Sequence, residues 1–90
     1  MSDVRDNTAQ SRFEMDVEGQ LALADYRRSG GKLVITHVET PPALQGRGVA
    51  AQLMAGVVDA ARAEGAKIVP ICSYAAAYMR RHKEHADLLA

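Results

Sequence analysis

The hydrophobic period of the chain changes once, and that change constrains the fold more than any other feature. In "RFEMDV", Phe13, Met15 and Val17 alternate with Arg12, Glu14 and Asp16, the period of a half-buried strand. From Gly48 onward, Val49, Leu53, Val57 and Ala61 form an i, i+4 row with Ala50, Met54 and Val58 beside it, while Gln52, Asp59 and Arg62 mark a wet side. That is the pattern of a helix packed on one face. A chain of 90 residues has room for one small domain, near the lower end of what buries its own core. Strands first, then helices laid on them, is the arrangement such a chain can build.

The remaining segments fill in that arrangement. "MSDVRDNTAQ", residues 1–10, is polar and reads as a flexible tail, leaving residues 11–90 as a single domain. Glu18-Gly19 reads as a hairpin turn into a second strand, "QLALADYRR", and Ser29 to Gly31 supplies the positive-φ residues of another turn. The third strand, "KLVITHVE", is apolar on both faces at its start and polar toward its end. Pro41 and Pro42 end its pairing, since neither has a backbone donor. Gly65 is placed to terminate the first helix at C′. "AKIVPIC" follows as a short buried strand limited by Pro70, "SYAAAYMRRH" as a second helix with Ser73 at its N-cap, and "KEHADLLA" as a final helical turn. The expected order is β-β-β-α-β-α, an α/β (α+β) fold in which helices cover a twisted mixed sheet.

Composition narrows the function classes. The formal net charge is zero and 48% of residues are apolar, which supports neither a nucleic-acid footprint nor a membrane-surface role. The single cysteine, Cys72, excludes an intrachain disulfide. There is no CxxC and no His/Cys cluster of zinc-site spacing, so no metal is expected. The N-terminus has no apolar core segment and no run approaches a membrane span, so the expectation is a cytoplasmic protein.

The junction between the third strand and the first helix, "TPPALQGRGVAAQLM", carries the functional signal. A loop with Gly46 and Gly48 that leads into a helix N-terminus presents free backbone N–H groups and the positive end of the helix dipole. This suits a phosphate or diphosphate, or it is simple turn chemistry. Gly48 lets the backbone approach a ligand without a Cβ, Ala50 keeps the first turn clear, and Arg47 offers a charge-assisted contact. The loop is not a Walker A motif, because no Gly-Lys-Ser/Thr follows. It is not a Rossmann fingerprint either, because three antiparallel strands precede it.

"QGRGVA" resembles the Q/R-x-x-G-x-G/A signature of the GNAT acetyltransferases, with Gln45, Gly48 and Ala50 at the signature positions. The run from "HVETPPALQGRGVA" through "AAAYMRRHKEHADLL" is similar to small GNAT-like proteins that consist of little more than the acetyl-CoA core, and the likeness spans roughly residues 11 to 90. It implies a minimal GNAT fold with acetyl-CoA as cosubstrate. By that resemblance the backbone of Gln45, Gly46, Arg47, Gly48, Val49 and Ala50 would hold the CoA diphosphate. The pantetheine arm would run between Lys32–Glu39 and Lys67–Cys72, and Val38 or Glu39 would present a backbone N–H to the acetyl carbonyl.

Chemistry also needs a base for the attacking ammonium. His37 and Glu39 are two apart on one strand and project from the same face; they are candidates for the base, or alternatively ordinary strand-end residues. Cys72 ends the second of the two parallel strands. It is either a nucleophile that carries the acetyl group, activated at the start of a helix, or a small core hydrophobe. Relatives often place a tyrosine, the general acid for the departing thiolate, about seven residues after the helix start. Here that count lands on Arg80, so Tyr74 and Tyr78 are the candidates left, with simple ring packing as the alternative. Arg80, Arg81 and His82 form a basic cluster able to meet CoA phosphates or to complement the helix C-terminus. His85 has no evident partner.

Full GNAT domains carry helices after the first strand and further strands at the C-terminus. By that comparison this chain has a complete donor side and an acceptor side that is shallow, open or supplied by a second molecule. Two functional classes follow. One is an N-acetyltransferase acting on an unidentified amine, by direct attack or through Cys72, as a monomer or weak homodimer. The other is a non-catalytic CoA-binding or sensing module.

Overall fold

The computed structural model describes residues 3–90. The described residues form a mixed five-stranded sheet in the order β1-β2-β3-β4-β5: β1 (Arg5–Asn7), β2 (Arg12–Val17), β3 (Gln20–Ser29), β4 (Lys32–Glu39) and β5 (Lys67–Pro70). The first four strands are antiparallel neighbours and β5 runs parallel to β4. Helix α1 (Val49–Glu64) makes the crossover between β4 and β5, and α2 (Ser73–Arg81) follows β5. A 3-10 segment, Lys83–Leu88, closes the described chain. Both helices bury their apolar residues in one continuous core with Phe13, Met15, Ala22, Ala24, Tyr26, Leu33, Ile35 and Ile68. Gly65 ends α1 at φ 70°, its N–H returning to the Ala61 and Arg62 carbonyls, as its position predicts.

Residues 5–7 depart from the expected tail. Strand β1 pairs with β2, Asp6 opposite Phe13, and side-chain contacts hold it. Asp6 accepts a hydrogen bond from the Tyr26 hydroxyl at 2.6 Å and pairs with Arg28 at 2.8 Å; burial, then the Asp6 carboxylate, raises the Tyr26 pKa. Val4 packs on α1 where Gly56 leaves no side chain. Polar composition hid this strand, because its anchoring is by ion pairs rather than apolar alternation. The first two residues of the expected tail, Met1 and Ser2, lie outside the described residues.

The outer side of β2 also differs from simple alternation. Glu14, expected among exposed charges, is 4% exposed. It accepts from Arg12 Nε at 2.6 Å, Asn7 Nδ2 at 3.0 Å and Arg5 Nε at 3.1 Å, and these donors, Arg12 foremost, hold its carboxyl below the usual carboxylate range. A buried carboxylate persists because every neighbour is a donor. Ser73, expected as the N-cap of α2, is the first helical residue; Cys72 takes the cap position with no side-chain cap bond.

At the far end the chain covers the edge of β5. Leu89 bridges Ile68 in parallel and the Ala90 N–H donates to the Ile68 carbonyl at 3.1 Å. Arg62 clasps Asp87 at 2.9 Å and also meets His85 Nδ1 at 3.3 Å, so His85 does have a partner. These contacts blunt an otherwise open strand edge.

Two outcomes are expected. An interior helical glycine replaced by alanine normally gains about 1 kcal/mol, but a Cβ on Gly56 would lie 2.4 Å from Val4 Cβ. Gly56→Ala should therefore destabilise by about 1–3 kcal/mol, and that cost should largely vanish in a thermal melt when measured in a Val4→Gly background, which removes the Val4 Cβ together with both methyls. The depressed pKa of Glu14 stabilises the fold above the ordinary glutamate pKa and ceases to do so as pH falls through the lower folded value. Urea titrations of the native protein and Glu14→Gln should differ clearly at neutral pH and converge in acid.

Candidate acetyl-CoA site

The site is built where β4 and β5 part. Their parallel pairing runs from Lys32 opposite Lys67 to Ile35 opposite Pro70 and stops there. Pro70 turns its nitrogen to the outer edge, the side on which Ala90 meets the Ile68 carbonyl, so its missing N–H costs this ladder nothing. The next two amides, Ile71 and Cys72, both donate to the Ile35 carbonyl at 3.0 Å, turning the chain out of the sheet and into α2. On the other side of β4, the register with β3 shifts at Asp25/Tyr26: Asp25 faces His37 while Tyr26 faces Ile35, which leaves Thr36 as the extra residue of a β-bulge. The bulge reverses the alternation. Val38 joins Ile35 on the helix-covered side, against the core, and His37 and Glu39 point to the opposite face, 55% and 63% exposed.

The loop follows from β4. Pro41 and Pro42 lead into a short 3-10 turn, Pro42–Leu44, whose Leu44 is fully buried and fixes the loop to the core. Gln45 turns its amide back to the Thr40 carbonyl at 3.2 Å. Gly46 and Gly48 sit at φ 80° and 77°, a conformation that side chains resist, and no heavy atom lies within 4 Å of where a Cβ would stand on either. The left-handed Gly48 is the N-cap of α1, with no side-chain cap bond. The first helical bond is Gln52 N–H to Gly48 carbonyl at 3.1 Å, so the amides of Val49, Ala50 and Ala51 fall outside the helical ladder.

These pieces enclose a cleft of about 410 Å³ lined by Val38, Thr40, Leu44, Gln45, Gly46, Gly48, Val49, Ala50, Ala51 and Tyr74. The loop glycines, Val38 and Tyr74 therefore line one cleft. Thr40, Leu44 and Ala51 line the cleft without having been anticipated; the first-turn position of Ala51 was the available signal.

Other candidates stand elsewhere. Arg47 turns away from the loop axis and forks onto Glu18 at 2.6 and 3.1 Å. His37 Nε2 and Glu39 Oε1 are 3.2 Å apart, outside the cleft lining and on the far face of β4. Tyr78 is buried and stacks on His82 at 4.1 Å between ring centres; burial foremost, then the Glu84 charge, raises its pKa. Cys72 is half-buried against the core. Arg80 and Arg81 are exposed in the last turn of α2, about 9 Å along its axis from Tyr74, and neither lines the cleft. His82 meets Glu84 at 3.5 Å. Among the described residues no group of three His, Cys, Asp or Glu converges as a metal site, and no described helix is long and apolar enough to cross a membrane.

The fold is thus an α/β one, a mixed five-stranded sheet whose parallel pair parts beside a helix with a glycine N-cap. The model of the GCN5-related N-acetyltransferase family matches residues 12–88, and the chain belongs to that family. It is also similar to the solution structure of a GCN5-like protein from Staphylococcus aureus, with a TM-score of 0.70, 26% identity, and coverage of 100% of this chain and 91% of that one. Among curated proteins no sequence matches it.

Proposed function

We propose that this protein is an N-acetyltransferase that moves the acetyl group of acetyl-CoA onto an amine, in a cytosolic setting. One observation carries the reading: the left-handed N-terminus of α1, Val38 in the part of β4 beyond its pairing with β5, and Tyr74 in the first turn of α2 border the same cleft.

The residues fit the donor. A diphosphate suits the amides of Gly48 to Ala51, which lack helical partners and carry the positive end of the dipole. The small and apolar lining from Val38, Leu44 and Val49 suits a pantetheine arm. Acetyl-CoA, when bound, supplies the activated thioester. The backbone of Val38 or Glu39, unpaired on its β5 side beyond Ile35, would donate to the thioester carbonyl. Tyr74, on the lip of the cleft, would give its proton to the departing thiolate. His37 and Glu39, held together on the other face of β4, would take the proton from an amine approaching from that side. Tyr78 would serve by packing against His82. Cys72 is kept as the alternative acceptor of the acetyl group before the amine. Residues 11–90, with β1 added, would act as one unit, as a monomer or weak homodimer.

The decisive experiment adds acetyl-CoA with a panel of amines, follows release of free CoA, and records the intact mass. Turnover without a protein adduct supports direct transfer; an acetyl adduct lost in Cys72→Ala supports the covalent route. Tight binding with neither would mark a CoA-binding or sensing module. Gly48→Glu should abolish CoA binding while the protein stays folded. Its backbone strain costs about 1–2 kcal/mol, whereas the added carboxylate stands where the diphosphate is held. Retention of full affinity by that variant overturns the loop assignment.

A further inference from the structure

The turn between β2 and β3 contains an anomaly that the donor site does not by itself explain. Glu18 and Gly19 are both left-handed, at φ 52° and 77°, the geometry of a two-residue hairpin turn that favours Asn, Asp or Gly at its first position. Glutamate rarely adopts such a φ, so something other than the turn favours it here. Because β3 is antiparallel to β4, with Leu23 opposite Glu39, the hairpin tip lies at the same end of the sheet as the glycine loop. The side chain of Glu18 spans the gap and grips Arg47 through both oxygens, at 2.6 and 3.1 Å. Each partner favours the charged form of the other: Arg47 lowers the Glu18 pKa and Glu18 raises that of Arg47.

Arg47 lies between Gly46 and Gly48, so its guanidinium is the loop's own cation. In the free protein that cation is already neutralised by a carboxylate beside the amides assigned to the diphosphate. Both side chains are substantially exposed, 62% for Glu18 and 48% for Arg47, and exposed pairs are weak enough to exchange partners.

We propose that Glu18 is a positioning residue that tunes donor affinity: it holds Arg47 on the hairpin in the free protein, and the CoA diphosphate takes Arg47 over on binding, untethering the hairpin tip. The proposal rests on the CoA reading given above. A diphosphate beside a helix N-terminus carries more negative charge than one carboxylate and offers its own bidentate partner to the guanidinium. Coupling of this kind is reciprocal: if CoA loosens the hairpin, loosening the hairpin must favour CoA.

The test is calorimetric titration with CoA of the native protein, Glu18→Gln, Glu18→Asn, Arg47→Met and the paired variants. Asparagine suits the left-handed turn position, so Glu18→Asn keeps the hairpin while removing both charge and reach. Either Glu18 variant should bind CoA about two- to five-fold more tightly at about 20 mM salt, with the gain fading by about 300 mM. The gain should vanish in the Arg47→Met background. Amide exchange at Glu18 to Gln20 should quicken when CoA binds the native protein and stay unchanged in Arg47→Met. Unchanged or weaker CoA binding in both Glu18 variants, or a gain that persists without Arg47, overturns the proposal and leaves the donor assignment standing. Failure of the native protein to bind CoA overturns both.

Discussion

Where the parallel pairing of β4 and β5 stops determines the rest of this molecule. Ile35 is the last residue of β4 to be paired on that side, and its carbonyl takes two amides, those of Ile71 and Cys72. A carbonyl has two lone pairs, so one acceptor can end a ladder and start a turn without leaving either amide unsatisfied. The backbone of β4 beyond Ile35 is thereby left free on its β5 side. An exposed strand edge is usually a hazard; here it borders a cleft.

The bulge at Thr36 works with that ending. Without it, His37 would follow Leu33 and Ile35 onto the core side and meet the apolar surface of α1. With it, Val38 takes the core side and closes the floor of the cleft, while His37 and Glu39 are turned to the opposite face. One inserted residue therefore separates an apolar cleft side from a polar far side across the thickness of a single strand. The loop that follows uses backbone in the same way: two left-handed glycines and a helix start, with Leu44 as the buried anchor that keeps them in place.

Much of this was legible in the sequence, for identifiable reasons. The strands β2 to β5 and both helices follow from periodicity, and the ends of α1 follow from Gly48 and Gly65, because hydrophobic burial and glycine conformation are local and leave local marks. The family was legible from "QGRGVA" taken with the segments around it. Three features were not. The β1 strand is held by Asp6, by the pairing of Arg5 with Glu14, and by Val4 on Gly56, contacts across long stretches of sequence. The burial of Glu14 depends on three donors converging from β1 and β2. The bulge at Thr36 leaves no residue signature, and it decides which side chains of "THVE" face the cleft. Arg80 and Arg81 do not line the cleft, since helical rise carries them away from Tyr74.

A division of labour explains how so short a chain can hold a site of this kind. The parts assigned to the donor are mainly backbone: strand amides, loop amides and a helix terminus, each positioned by neighbours in the core such as Leu44, Val49 and Leu53. Such parts need few special side chains and no added domain. The groups assigned to proton transfer are different, being exposed side chains at a strand end and a helix start, with rotamer freedom that packing does not remove. Ordering them would require contacts from the acceptor itself, so the amine would complete the reactive geometry as well as receive the acetyl group. On this view the glycine loop defines the donor through the fold, and the identity of the acceptor is set by what can settle His37, Glu39 and Tyr74 together.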